Sequence, residues 1–187
     1  MNIHIRPATL EDAAVIHSMY DHYIANSLAT FHEHNKPFET RVKEMAELME
    51  TYPFLVAEDE NGTFLGFANG EPIRPQSGYR YCVELTIYLH PDAPHGQGIG
   101  KALYNELLRM LTEQGFCTAV GILYGGNEES FALHRHFGFE EVALLQNAGR
   151  KHGQWLDARI VRKTLNPFTD EISEPIPFKE YRKGLTL

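Results

Sequence analysis

Apolar and polar positions alternate along residues 2–9 (NIHIRPAT), which predicts a short strand. Thr9 and Asp12 then make an N-cap pair for a helix carrying Ile16, Met19 and Tyr23 on one side. Residues 26–37 (NSLATFHEHNKP) are polar and end in proline, hence a loop, and residues 39–50 (ETRVKEMAELME) take up helical spacing. Two strands follow in residues 53–70, joined by an Asn61-Gly62 turn, the strongest short hairpin signal. Residues 81–89 (YCVELTIYL), rich in β-branched and aromatic side chains, predict a long third strand of this group.

Beyond them, Ile99, Leu103, Leu107, Met110 and Leu111 recur at helical spacing, with Lys101, Asn105, Arg109 and Glu113 between them. Residues 117–124 (CTAVGILY) read as a buried strand, and residues 127–137 as a capped helix closed by Gly138. Residues 139–148 and 154–165 predict a final pair of strands. The order is strand, two helices, three strands, helix, strand, helix, two strands: an α/β (α+β) domain around one sheet. The expected division is a domain over 1–165 and a tail over 166–187. The tail holds three prolines and no clear period, and is expected to pack over the surface or cross to a partner.

The chain has 187 residues, 43% hydrophobic and 22% charged, which fits one soluble domain with a sizeable core. No apolar run approaches the roughly 18 residues of a membrane span, and residues 1–14 lack the basic-then-apolar pattern of a secretion signal. Cys82 and Cys117 form no metal-type pair and no disulfide framework, so a reducing cytoplasm is expected. The net charge of −8 argues against nucleic acid and leaves room for one phosphate-rich cofactor held by backbone N–H groups. His134, Arg135, His136 and His152 lack carboxylate or Cys partners at ligand spacing, so no metal is expected.

The stretch HPDAPHGQGIGKALYNELL (90–108) runs from a proline-bearing loop through three glycines into a helix. A Walker A loop would need glycine at His95 and a hydroxyl residue at Ala102, and neither is present. A dinucleotide fingerprint fits Gly96 and Gly98, but Lys101 stands in its third glycine position, and the loop follows the fourth strand rather than the first. The remaining pattern, His95-Gly96-Gln97-Gly98-Ile99-Gly100, suits an anion: glycine removes the Cβ that would hold phosphate away, and a helix N-terminus supplies donors. A glycine-rich turn without a ligand also fits the hexapeptide alone.

That hexapeptide resembles the pyrophosphate loop of the GNAT acetyltransferases, and the resemblance covers about residues 3–165. The segments IRPAT-ED, FLVAEDENGTFLGFA, VELTIYLHPDAPHGQGIGKAL, NEESFALHRHFGFEE and GRKHGQWLDARI together look like the branch of phosphinothricin and methionine sulfone or sulfoximine N-acetyltransferases. Two departures stand out: His95 replaces the usual Arg or Gln, and the loop from Leu89 to His95 is one residue longer. The resemblance implies a mixed, mostly antiparallel sheet flanked by helices, whose fourth and fifth strands splay to form an acetyl-CoA slot. It implies acetyl transfer to a small amino-acid-like amine by a cytoplasmic homodimer. Alternatives are a polyamine, antibiotic or protein N-terminus as acceptor, or a CoA-binding module without turnover.

Implied cofactor contacts are Ile87, Tyr88 and Leu89 on the strand, His95, Gly96, Gln97, Gly98, Ile99, Gly100 and Lys101 in the loop, and Asn127 and Ser130 beyond. Asn127 and Ser130 fit helix capping as well. Glu84 aligns with the proposed general base, which an amine of pKa about 8 needs at neutral pH; on residue type alone it fits a solvent-facing strand position too. His134 stands where many relatives carry a tyrosine acid, and a packed helix histidine fits it equally. On the acceptor side the resemblance implies Thr30, Phe31, Arg74, Pro75, Gln76, Leu85 and Thr86, with Arg74 clasping a carboxylate and Arg80 the weaker candidate. Trp155 reads as a core or interface residue.

Overall fold

A computed structural model of the chain describes residues 1–184; the last three residues of the expected tail lie outside them. Seven strands form one sheet in the order β1-β2-β3-β4-β5-β7-β6. These are β1 (His4–Pro7), β2 (Phe54–Glu58), β3 (Phe64–Pro72), β4 (Cys82–Leu89), β5 (Thr118–Tyr124), β6 (Glu140–Lys151) and β7 (Gln154–Thr164). Every adjacent pair is antiparallel except β4 with β5. That single parallel pair holds only at Cys82↔Thr118, Val83↔Ala119 and Glu84↔Val120, after which the strands part.

The helices are α1 (Ala13–Asn26), α2 (Phe38–Thr51), α3 (Ile99–Gln114), α4 (Glu128–His136) and the short α5 (Phe178–Tyr181). Asp12 closes the capping box with Thr9 across a 3-10 turn before α1, and Arg6 grips the same carboxylate at 2.8 Å. One core cluster joins α3 to the sheet through Leu103, Tyr104, Leu107, Leu111, Leu55 and Val83; a second joins α1 and α2 to it through Ile16, Met19, Met45, Val56 and Phe67. Burying this apolar surface supplies most of the driving force for the fold.

Two expectations are narrowed here. The tail packs on its own chain: Gln114 donates to the Ile176 carbonyl at 2.7 Å, and Phe178 of α5 is buried in the α3 cluster. Prolines at 175 and 177 hid this helix from periodicity, because four residues are too few to show one. Trp155 is 64% exposed on β7, neighbouring the edge strand β6, where Val142, Leu144 and Leu145 are also exposed. It is therefore not a core residue. Among the described residues no helix is long and apolar enough to cross a membrane.

Candidate active site

Where β4 and β5 part, a cavity of about 1020 Å³ opens between them. Its walls are the β4 segment 85–89, the loop and first turn of α3 (95–101), and the start of α4. Beyond Glu84 the β5-facing backbone edge of β4 has no strand partner. Gly96 and Gly98 have φ of +71° and +80°, and Gly98 is the N-cap of α3. Such backbone suits glycine, and a Cβ at either position would stand in open space, so the loop presents bare backbone to the cavity. The first amide of α3 to find a helical partner is that of Ala102, on the Gly98 carbonyl. The amides before it form an anion cradle at the end of a 16-residue helix. This donor set fits the pyrophosphate and pantetheine arm of CoA. His95 and Lys101 are exposed beside it.

On the opposite wall the Asn127 side chain caps α4 by accepting from the Ser130 amide at 3.1 Å. Asn127 is thus the capping residue, and Ser130 supplies the amide being capped. His134 is 1% exposed with both ring nitrogens engaged. Its Nδ1 lies 2.8 Å from the Ser130 carbonyl, and its Nε2 lies 2.7 Å from the Tyr104 hydroxyl. A carbonyl only accepts, so Nδ1 carries the proton; burial lowers the ring's pKa and keeps it neutral, so Nε2 accepts from Tyr104. No ring N–H remains for the cavity, which removes the ground for His134 as an acid.

A second cavity of about 450 Å³ lies beneath the α1–α2 loop, lined by α1, α2, β3 and β4. The two cavities share Ala29, Glu84, Thr86, Tyr88 and Ile122, so Glu84 stands at their junction. Burial and the like charge of Glu71, its register partner on β3, push the Glu84 carboxyl up to about 7 against the opposing pull of Arg74. Glu71 accepts from the Thr86 hydroxyl at 2.8 Å. A carboxylate poised there changes protonation near neutral pH, as proton transfer from an amine requires.

The α1–α2 loop roofs this cavity with Thr30, Phe31 and His32. A Cβ on Gly149 of β6 would overlap the Phe31 ring, so glycine there lets the ring seat against the strand. Lys151 is 1% exposed and its ammonium donates to two loop carbonyls, Ser27 at 2.7 Å and Thr30 at 2.9 Å, and to that of Tyr23 in the last turn of α1 at 3.3 Å. His152 reaches the Ile24 carbonyl at 3.1 Å. The KHGQW segment therefore acts as the clamp that holds the roof.

All the residues expected at the cofactor line the larger cavity. Thr30, Phe31 and Thr86 line the smaller one, whereas Arg74, Pro75 and Gln76 do not. The chain leaves the sheet after Pro72, which leaves these three exposed on the β3–β4 connection. Leu85 turns its side chain into the core. Arg80 is exposed and pairs with Glu174 of the tail at 3.0 Å. The cations lining the smaller cavity are instead Lys36 and Arg41, and its added acids are Glu44 and Glu71. Sequence reasoning missed all four, since the loop and α2 carried no signal that they face β4, and the pairing of Glu71 with Glu84 depends on strand register.

Residues 16–139 match the model of the acetyltransferase (GNAT) family. The chain is 34% identical to a phosphinothricin N-acetyltransferase of Streptomyces viridochromogenes, over 83% of this chain and 84% of the relative. It is 33% identical to an L-methionine sulfoximine/L-methionine sulfone acetyltransferase of Pseudomonas paraeruginosa, over 89% of this chain and 97% of the relative. Its fold superposes on a phosphinothricin acetyltransferase of Sinorhizobium meliloti solved with acetyl-CoA, with TM-score 0.85 and 34% identity over 92% of this chain and 96% of that one. The parted β4 and β5, the glycine cradle and these likenesses agree: the chain belongs to the GNAT acetyltransferase family and is an acetyl-CoA-dependent N-acetyltransferase.

Proposed function

We propose that the protein acetylates the amino group of a small amino-acid-like acceptor of the phosphinothricin or methionine sulfone type. The observation that carries this is the junction: Glu84 borders both cavities, and its carboxyl is pushed up to about 7. The acceptor enters the smaller cavity beneath Thr30 and Phe31, whose volume of about 450 Å³ suits a compact molecule. Glu84, once ionised, takes the proton of the acceptor's ammonium. Bound acetyl-CoA supplies the activated acetyl thioester. The cradle 95–101 holds its pyrophosphate, Ile87, Tyr88 and Leu89 line its arm, and Asn127 and Ser130 wall the far side. A β4 amide donates to the carbonyl oxygen where negative charge grows. A thiol of pKa near 8.5 departs readily as thiolate, and His134 then serves to position Tyr104 in the cavity wall.

The test is thiol release from acetyl-CoA with a panel of amino acids, methionine sulfone, methionine sulfoximine, phosphinothricin, polyamines and peptides. Fastest turnover is expected with the compact amino acids. Preference for a polyamine or a peptide would overturn the acceptor class, and no turnover with any amine would favour a CoA-binding module. The exposed apolar residues Val142, Leu144 and Leu145 of edge strand β6, with Trp155 further along the same ribbon opposite Arg150, support a homodimer through this edge. Sedimentation of wild type against Leu144→Glu reads it: dimer and monomer are expected, and identical masses would refute it. Two free cysteines support a reducing, cytoplasmic setting.

A further inference from the structure

Arg41 is a charged side chain that the structure leaves half-partnered. It is 8% exposed, stands in the first turn of α2 and lines the smaller cavity. Its guanidinium lies over the Tyr20 ring, 3.7 Å from the centroid, and one terminal nitrogen donates to the Asn35 side-chain carbonyl at 3.0 Å. Its Nε is buried without a partner, and among the described residues no carboxylate pairs with it. The other charges nearby are accounted for: Lys36 pairs with Glu44 at 2.5 Å, Glu71 takes the Thr86 hydroxyl, and Glu84 faces the junction. Burial first, and then the positive charges of Lys36 and Arg41, lower the pKa of His32. A buried guanidinium with only neutral partners is costly until an anion reaches it.

We propose that Arg41 is the specificity-determining residue that receives the carboxylate of the acceptor. The assignment rests on the smaller cavity being the acceptor site. Glu84 borders both cavities, whereas Arg41 borders only the smaller. The amine is therefore read at the junction, and the carboxylate deeper, against α2. A planar fork with free donors matches a carboxylate, and the Tyr20 stack fixes the plane of that fork. The acceptor class follows: amines that carry a carboxylate a few bonds away. Arg74, exposed outside the cavity, has no such enclosure.

The experiment compares methionine sulfone with 3-(methylsulfonyl)propan-1-amine, the same molecule without its carboxylate, in wild type, Arg41→Gln and Arg41→Lys. Wild type should favour the acid. Arg41→Gln should raise KM for the acid by about 10- to 100-fold, the range for a lost hydrogen bond to a charged group. KM for the plain amine and the affinity for acetyl-CoA should stay within about threefold. Arg41→Lys, which keeps the charge and loses the fork, should fall between, and decides the matter if Arg41→Gln does not fold. Equal increases for both substrates, or none for the acid, would overturn the role of Arg41 and leave the acceptor site standing. A wild-type enzyme that treats acid and amine alike would overturn the acceptor reading and this inference together.

Discussion

Glu84 should make the protein less stable in the pH range where it is functional. Its carboxyl is raised from an ordinary 4.5 to about 7 by burial first and by the Glu71 charge second. A carboxyl whose pKa is higher folded than unfolded contributes stability that is fully present below 4.5 and lost as pH rises through 7. The interval is worth about 3 kcal/mol at 1.36 kcal/mol per pH unit. Glu84 is only partly buried, and solvent screening reduces this to about 1–2 kcal/mol. Glu84→Gln keeps the shape and removes the ionisation. Guanidinium denaturation of the cofactor-free wild type and variant at pH 5, 6, 7 and 8 measures the difference. The variant should gain about 1–2 kcal/mol on wild type between pH 5 and pH 8, most of it between 5 and 7. A difference constant across that range would mean that the folded carboxyl titrates as it does unfolded, and would refute the poised base.

Other elements of the site carry their own tests. Lys151→Met strips the donor from two loop carbonyls and one of α1; it should cost about 2–3 kcal/mol in denaturation and speed proteolysis within 27–37, and unchanged cleavage would refute the clamp. Tyr104→Phe leaves His134 Nε2 unsatisfied and should cost about 1–3 kcal/mol, read as a lower melting temperature. Gly98→Ala strains a left-handed backbone by about 1–2 kcal/mol and should weaken acetyl-CoA about tenfold by calorimetry. His95→Ala should change that affinity less than about threefold, because backbone donors do the holding; a larger loss would give the exposed histidine a share.

Much of the fold was legible because its signals are local. The Thr9–Asp12 box, the Asn61-Gly62 turn and the heptad-like run from Ile99 to Leu111 each act within a few residues, and each stands in the structure. The glycine loop was legible for the same reason: three glycines before a helix set both conformation and exposure. What escaped depends on contacts far apart in the chain. Arg41 shares a cavity with β4 residues more than 40 positions on, Lys151 meets α1 from 128 residues away, and Glu71 faces Glu84 only through strand register. Arg74, expected from the resemblance, stands exposed past Pro72, where β3 ends, and where its side chain lies depends on the β3–β4 connection, which no local pattern fixes. His134 was read as a possible acid because sequence does not reveal that Ser130 and Tyr104 occupy both its nitrogens.

The central claim is that acetyl transfer passes through a base at the junction of two cavities, one for CoA and one for an amino-acid acceptor. Its most direct test is kcat of Glu84→Gln with a saturating amino-acid acceptor, measured beside the calorimetric Kd for acetyl-CoA. The account predicts a kcat lower by about 10²-fold or more, the usual scale of general-base assistance, with Kd within about twofold of wild type. A variant that keeps kcat within about threefold while binding acetyl-CoA normally would contradict it.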